Sequence, residues 1–139
     1  MTEHVEKAVL NAYLTMTYPS LLTWKNVRLG PVPPSSFLQI MPEEAAKYTK
    51  QFRYFADAIV CDTRKIVIIE CKVRMPAAAI GQLKIYRDYF QKTPEFAAYK
   101  ELPVELELVV VRDDLQVRET CLKEGIRFVV FEQGLKLLE

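Results

Sequence analysis

Cysteine, histidine and an excess of charge of one sign are all scarce in this 139-residue sequence, and each scarcity closes off a class of function. The three cysteines, Cys61, Cys71 and Cys121, are odd in number and scattered, which excludes a disulfide framework and a paired zinc knuckle. They read as reduced, mostly buried thiols. His4 is the one histidine, so a zinc centre of histidine and cysteine has too few ligands to draw on. With 19 basic and 18 acidic residues the net charge is +1, which excludes a domain that attracts phosphate over its whole surface. Any nucleic-acid face must therefore be local. Lys47, Lys50 and Arg53 form one basic cluster and Lys84 with Arg87 another, each with a plain solvated surface as its alternative. No apolar run approaches the roughly 18 residues that a membrane span needs, and the opening Thr2, Glu3, His4, Glu6 and Lys7 do not resemble a secretory leader. A cytoplasmic protein without membrane segments is expected.

Half of the residues are apolar, enough for one substantial core, and the length favours a single domain over residues 1–139. Val5, Ala8, Val9, Ala12 and Met16 recur at helical spacing and predict an amphipathic first helix over residues 3–15. Leu22–Leu29 predicts a strand, the proline-rich Pro31–Ser36 a loop, Phe37–Met41 a short strand, and Pro42–Lys50 a polar connection. Two apolar runs, Phe52–Cys61 and Lys65–Val73, are separated only by Asp62, Thr63 and Arg64, which predicts a β-hairpin. Pro76–Gln91 predicts a helix with Ala79, Leu83, Tyr86 and Phe90 on one face. Val104–Arg112 predicts a strand, Asp113–Glu124 a helix capped by Asp113 or Asp114 and closed by Gly125, and Ile126–Glu132 a last strand. This alternation implies an α/β fold with a mixed central sheet flanked by helices on both faces.

The chemistry gathers in the hairpin. If Asp62 faces Lys65 across the turn, Ile59 opposes Ile68, Asp57 opposes Glu70 and Phe55 opposes Lys72, all on one face. Opposed carboxylates in a strand pair repel unless a cation neutralises them, and burying them unpaired costs several kcal/mol. Two such acids can reach one divalent cation through oxygen ligands at about 2.0–2.6 Å. The competing explanation is a structural salt bridge to Lys72, which accounts for Glu70 and leaves Asp57 redundant.

Asp57 followed by Glu70-Cys71-Lys72 resembles the PD-(D/E)XK nuclease superfamily, in which an acidic residue and a (D/E)xK tripeptide lie on adjacent strands. Gln82 and Tyr86, one helical turn apart, resemble the QxxxY motif of its RecB-type exonuclease branch. Ala56 stands where the family name has proline. The resemblance implies a restriction-endonuclease-like fold, with Asp57, Glu70 and the backbone carbonyl of Cys71 holding Mg²⁺ or Mn²⁺ and Lys72 assisting the attacking water. It adds Glu6, with Glu3 behind it, as a further acid from the first helix, and His4 as the one histidine upstream of Asp57. Gln82 and Tyr86 would organise the substrate strand, with Lys84, Arg87, Lys50 and Arg53 as additional contacts. Gly81, lacking a side chain, would admit DNA or a neighbouring strand. Three scattered cysteines cannot supply the four ligands of the iron–sulfur cluster that some relatives carry, so no cluster is expected.

The function so implied is metal-dependent hydrolysis of DNA by a domain of viral, mobile-element, repair or recombination type. One active site cuts one strand, so paired cuts require two visits or a homodimer. The alternatives are a binding module for nucleic acid or protein that keeps the fold without turnover, and an unrelated α/β domain with a Glu70–Lys72 salt bridge.

Overall fold

The computed structural model describes residues 2–31 and 54–138. The predicted strand over 37–41, the connection over 42–50 and the basic residues Lys47, Lys50 and Arg53 lie outside the described residues. Five strands, β1 (Leu22–Leu29), β2 (Tyr54–Cys61), β3 (Ile66–Cys71), β4 (Val104–Val110) and β5 (Ile126–Val130), form one sheet in sequence order. The first two junctions are antiparallel and the last two parallel. Helix α1 (Thr2–Thr17) precedes β1, α2 (Ala78–Phe90) joins β3 to β4, and α3 (Leu115–Lys123) joins β4 to β5.

Both faces of the sheet are covered. Helices α2 and α3, with a 3₁₀ segment at Pro94–Tyr99, pack on one face over Ile59, Ile66, Ile68, Leu106 and Leu108. Helix α1 and a closing 3₁₀ segment, Glu132–Leu138, pack on the other over Ala58, Val60, Val67, Ile69 and Val109. Central strand β3 is therefore buried at all six positions, which explains its unbroken apolar run. Each such aliphatic side chain stabilises the fold by about 1.5–3 kcal/mol relative to exposure.

The hairpin closes as its sequence predicts. Asp62 N–H donates to the Lys65 carbonyl at 3.2 Å, and Asp62 Oδ1 accepts from the backbone of Arg64 and Lys65 at 3.1 and 3.0 Å. Thr63 takes the left-handed conformation at φ 72°, and Ile59 then pairs with Ile68 and Cys61 with Ile66. Helix α2 buries Ala79, Leu83, Tyr86 and Phe90, the predicted stripe, and the α3 cap is Asp114, whose carboxylate accepts from Val117 N–H at 3.1 Å.

Other elements depart from the reading. The first helix is present, but its buried face is Val9, Leu10, Tyr13 and Leu14, while Met16 is 59% exposed and Ala8 faces solvent. Strand β5 ends at Val130, and Glu132 starts the closing 3₁₀ segment. Neither 3₁₀ segment has a periodicity long enough to read.

Candidate active site

The rungs between β2 and β3 run from Cys61–Ile66 to Ala58–Ile69 and stop there. At the next position the carboxylates replace the backbone as acceptors. Asp57 N–H donates to Glu70 Oε1 at 2.9 Å, and Cys71 N–H donates to Asp57 Oδ2 at 2.8 Å. Each acid thus ties down the opposite strand with one oxygen. Its second oxygen accepts no hydrogen bond among the described residues.

The other edge of β2 is loosened at the same place. Pairing with β1 includes Lys25–Ala58 and Val27–Ala56 but skips Asn26 opposite Asp57, and Asn26 has φ 52°. Trp24 and Val27 pack on the same core, as do Ala56 and Ile59, so strand alternation shifts by one residue at Asn26 and again at Asp57. A distortion of this kind beside a functional site re-aims side chains.

Asp57 and Glu70 open into a cleft of about 350 Å³. Its floor is the hairpin, with Lys72 and Phe55; α1 contributes Glu6, Lys7 and Leu10 to the wall; α2 contributes Gln82 and Tyr86; and β1 contributes Asn26. Glu6 Oε2 accepts from Val73 N–H at 3.0 Å, which joins the start of α1 to the end of β3. Lys72 makes no ion pair among the described residues, so the salt bridge that competes with a chemical reading of Glu70 is not formed.

The electrostatics match the geometry. Glu70 is 3% exposed, and burial followed by repulsion from Asp57 pushes its carboxyl up to about 8. Burial also raises Asp57, against the opposing pull of Cys71 N–H and Lys72. Burial likewise raises the Tyr86 hydroxyl, with Glu70 and Asp57 adding to the effect. Gln82 Oε1 is buried beside these acids with no hydrogen-bond partner among the described residues. A buried, unpaired carbonyl is costly, so the cleft is arranged for a donor that the described residues do not provide.

These observations bear on a metal directly. Among the described residues no group of three or more His, Cys, Asp or Glu side chains is gathered to hold one. The donors at hand are two carboxylates, each with a spare oxygen, and the neighbouring main chain of Cys71. That set fits a hard, oxygen-seeking divalent cation that keeps several waters. It also fits electrically, since among the described residues no cationic side chain is bonded to either of the facing acids.

The remaining candidate residues fall elsewhere. Lys84 Nζ is 2.7 Å from Glu124 Oε2, bracing α2 against α3, and neither Lys84 nor Arg87 lines the cleft. Lys50 and Arg53 lie outside the described residues, as does the side chain of Glu3. His4 is exposed and does not line the cleft. Gly81 is exposed, and a Cβ added there meets nothing within 4 Å, so its missing side chain does not serve to admit a neighbouring strand. Lys7, Leu10 and Asn26 escaped the reading. Their neighbours in sequence carry no signal, because the cleft is formed by elements remote along the chain.

A second buried acid also escaped it. Glu107 on β4 is 1% exposed and accepts from the hydroxyls of Tyr13 at 2.7 Å and Tyr18 at 2.9 Å, with Arg127 Nε at 3.7 Å. Its one sequence signal is an acid inside the apolar run Val104–Arg112.

No family model matches the chain, and no curated protein matches it. Two solved structures resemble its fold, each with a TM-score of 0.50. One is a repair endonuclease from Pyrococcus abyssi, 18% identical, matched over 90% of this chain and 46% of its own. The other is EndoMS in a complex with dsDNA, 17% identical, matched over 91% of this chain and 44% of its own. The chain therefore spans less than half the length of these neighbours. Its mixed five-stranded sheet with helices on both faces is the restriction-endonuclease-like fold.

Proposed function

We propose that the chain is a divalent-metal-dependent nuclease that hydrolyses phosphodiester bonds in DNA. The observation that carries the reading is the pair of facing acids, half-buried Asp57 and buried Glu70, open to a cleft that also holds Lys72, a lysine without an ion pair among the described residues. Asp57, Glu70 and the Cys71 carbonyl would hold Mg²⁺ or Mn²⁺, with Glu6 close by. The chemistry such a cation supplies is activation of water and stabilisation of charge on phosphate oxygens. Lys72 brings a fixed positive charge to the same space, where it stabilises the negative charge that develops on the phosphate and orients the attacking water.

Gln82 and Tyr86 are positioning residues in this scheme. The Gln82 carbonyl, unpaired among the described residues, would accept a hydrogen bond from water or from Lys72, and the Tyr86 hydroxyl lies near both acids while its ring belongs to the core. Their joint place on the cleft wall supports grouping the chain with the RecB-type branch of the PD-(D/E)XK nucleases. DNA as substrate draws support from the fold shared with two endonucleases, one of them solved with dsDNA. A cut through both strands would need two visits to one such cleft or the two clefts of a homodimer.

The test is a panel of single-stranded, duplex, flap and four-way-junction DNA incubated with Mg²⁺, Mn²⁺ or Ca²⁺. Cleavage is expected with the first two ions. Ca²⁺ should support binding with little turnover, because its larger and looser coordination holds the carboxylates without aligning water and phosphate. Full activity of metal-free protein in excess chelator would contradict the proposal. Metal-dependent DNA binding without any cleavage would instead favour a binding module on the same fold.

A further inference from the structure

We propose that the cleft takes an unpaired nucleotide, whose base stacks on the ring of Phe55 while the amide of Asn26 meets the base edge. This rests on the nuclease reading and adds the structural class of the substrate. Phe55 is 40% exposed in a strand that is otherwise largely buried, and it lies in the cleft two residues before Asp57. Among the described residues the other large exposed apolar side chains do not line that cleft, whereas this one borders the atoms that would engage the phosphate.

Asn26 is the second observation. It holds a left-handed conformation inside β1, at φ 52°, where an asparagine is tolerated and most residues are strained. The resulting shift in alternation places Asn26 on the cleft wall, opposite Asp57. Its amide carries both donor and acceptor groups, as a base edge does.

Charge decides between stacking and phosphate contacts. Among the described residues the cleft is lined by three acids, Glu6, Asp57 and Glu70, and two cations, Lys7 and Lys72. Phosphate attraction from these side chains is therefore weak, while stacking is indifferent to net charge. A base within a duplex already has neighbours on both faces. Only a base in a single strand, at a frayed end or in a flap offers a free face to Phe55.

The experiment uses short DNA containing one 2-aminopurine, single-stranded or in a blunt duplex, with the full chain in Ca²⁺. The single strand should bind more tightly and its fluorescence should be quenched. Phe55→Ala should lose the quenching and weaken single-strand binding about tenfold, with Phe55→Tyr restoring both. Asn26→Gly suits the left-handed backbone and should weaken binding without lowering Tm. Thermal melting checks that each variant is folded. Wild-type-like quenching and affinity in Phe55→Ala, or a preference for the blunt duplex, would overturn the stacking site while leaving the nuclease intact. If the wild-type chain neither binds nor, in Mg²⁺, cuts either DNA, the nuclease reading falls and the stacking site with it.

Discussion

Glu70 and Glu107 lie on adjacent strands, with Glu70 in register with Leu108 and Glu107 with Ile69, so the two acids are one rung apart and on opposite faces of the sheet. Both are almost wholly buried, at 3% and 1% exposure. Their surroundings differ in kind. Glu107 receives two tyrosine hydroxyls and has Arg127 nearby, so its oxygens are served by the chain itself. Among the described residues Glu70 receives one backbone N–H and faces another acid, beside an amide oxygen without a partner. A buried acid with its donors in place anchors α1 to the sheet. A buried acid left short of donors, and open to a cleft, is arranged for a ligand from outside.

The largest expected difference between the two sites is in activity. Asp57→Asn and Glu70→Gln keep an acceptor for the cross-strand N–H groups, so each should stay folded while cleavage falls at least about a hundredfold. Glu107→Gln should retain cleavage, measured at a temperature well below its melting point. Loss of cleavage in Glu107→Gln with an unchanged Tm would erase the distinction.

Stability should show the reverse ranking. Glu107→Ala leaves one buried hydroxyl, that of Tyr13, and one half-buried hydroxyl, that of Tyr18, without this acceptor and is expected to cost about 3 kcal/mol in chemical denaturation. Glu70→Gln relieves repulsion with Asp57 and should leave the metal-free protein as stable as wild type or more so. Equal destabilisation by the two substitutions would show that both acids are structural.

The pH dependence of stability sharpens the same contrast. The Glu70 carboxyl is raised from 4.5 to about 8 by burial and by Asp57, so the folded chain holds a proton that the unfolded chain releases. Stability of the metal-free protein should accordingly be fully present below pH 4.5 as far as this group is concerned, and be lost as pH rises from 4.5 through about 8. Melting curves in chelator should show that fall. Mg²⁺ should reduce it by favouring the ionised pair, and Glu70→Gln should flatten it in part, leaving the contributions of Asp57 and Glu107, both also raised by burial. An unchanged slope in Glu70→Gln would count against the raised carboxyl.

The smallest effects come from one substitution made in each region. Gly134 packs between α1 and the sheet, where an added Cβ would stand 2.8 Å from Val111 Cγ1 and 3.0 Å from Val9 Cγ1. Gly134→Ala should cost about 1–3 kcal/mol through overpacking. Gly81 on α2 has open space instead, so Gly81→Ala should raise stability by about 0.5–1 kcal/mol through helix propensity. Urea denaturation of both variants reads the two signs, and a gain at Gly134 would deny the close packing of the closing segment.

How much of this was legible follows from the range of the interactions. Alternation and turn chemistry are local, so the hairpin register, the stripe on α2 and the Asp114 cap could be read from neighbouring residues. That Asp57 meets Glu70 could be anticipated from this register, since the turn fixes which residues oppose, but the rungs end at Ala58–Ile69 and the shift in alternation at Asp57 was not legible. Among the described residues the sequence by itself therefore determined the five strands, the three helices and the meeting of the acid pair. Only the tertiary structure decided which face α1 buries, that Lys84 is tied to Glu124 and absent from the cleft, and that Asn26 and Lys7 line it. It alone showed that Glu107 finds Tyr13 and Tyr18. Such contacts join residues far apart along the chain through packing and a break in strand alternation, for which no short-range pattern exists.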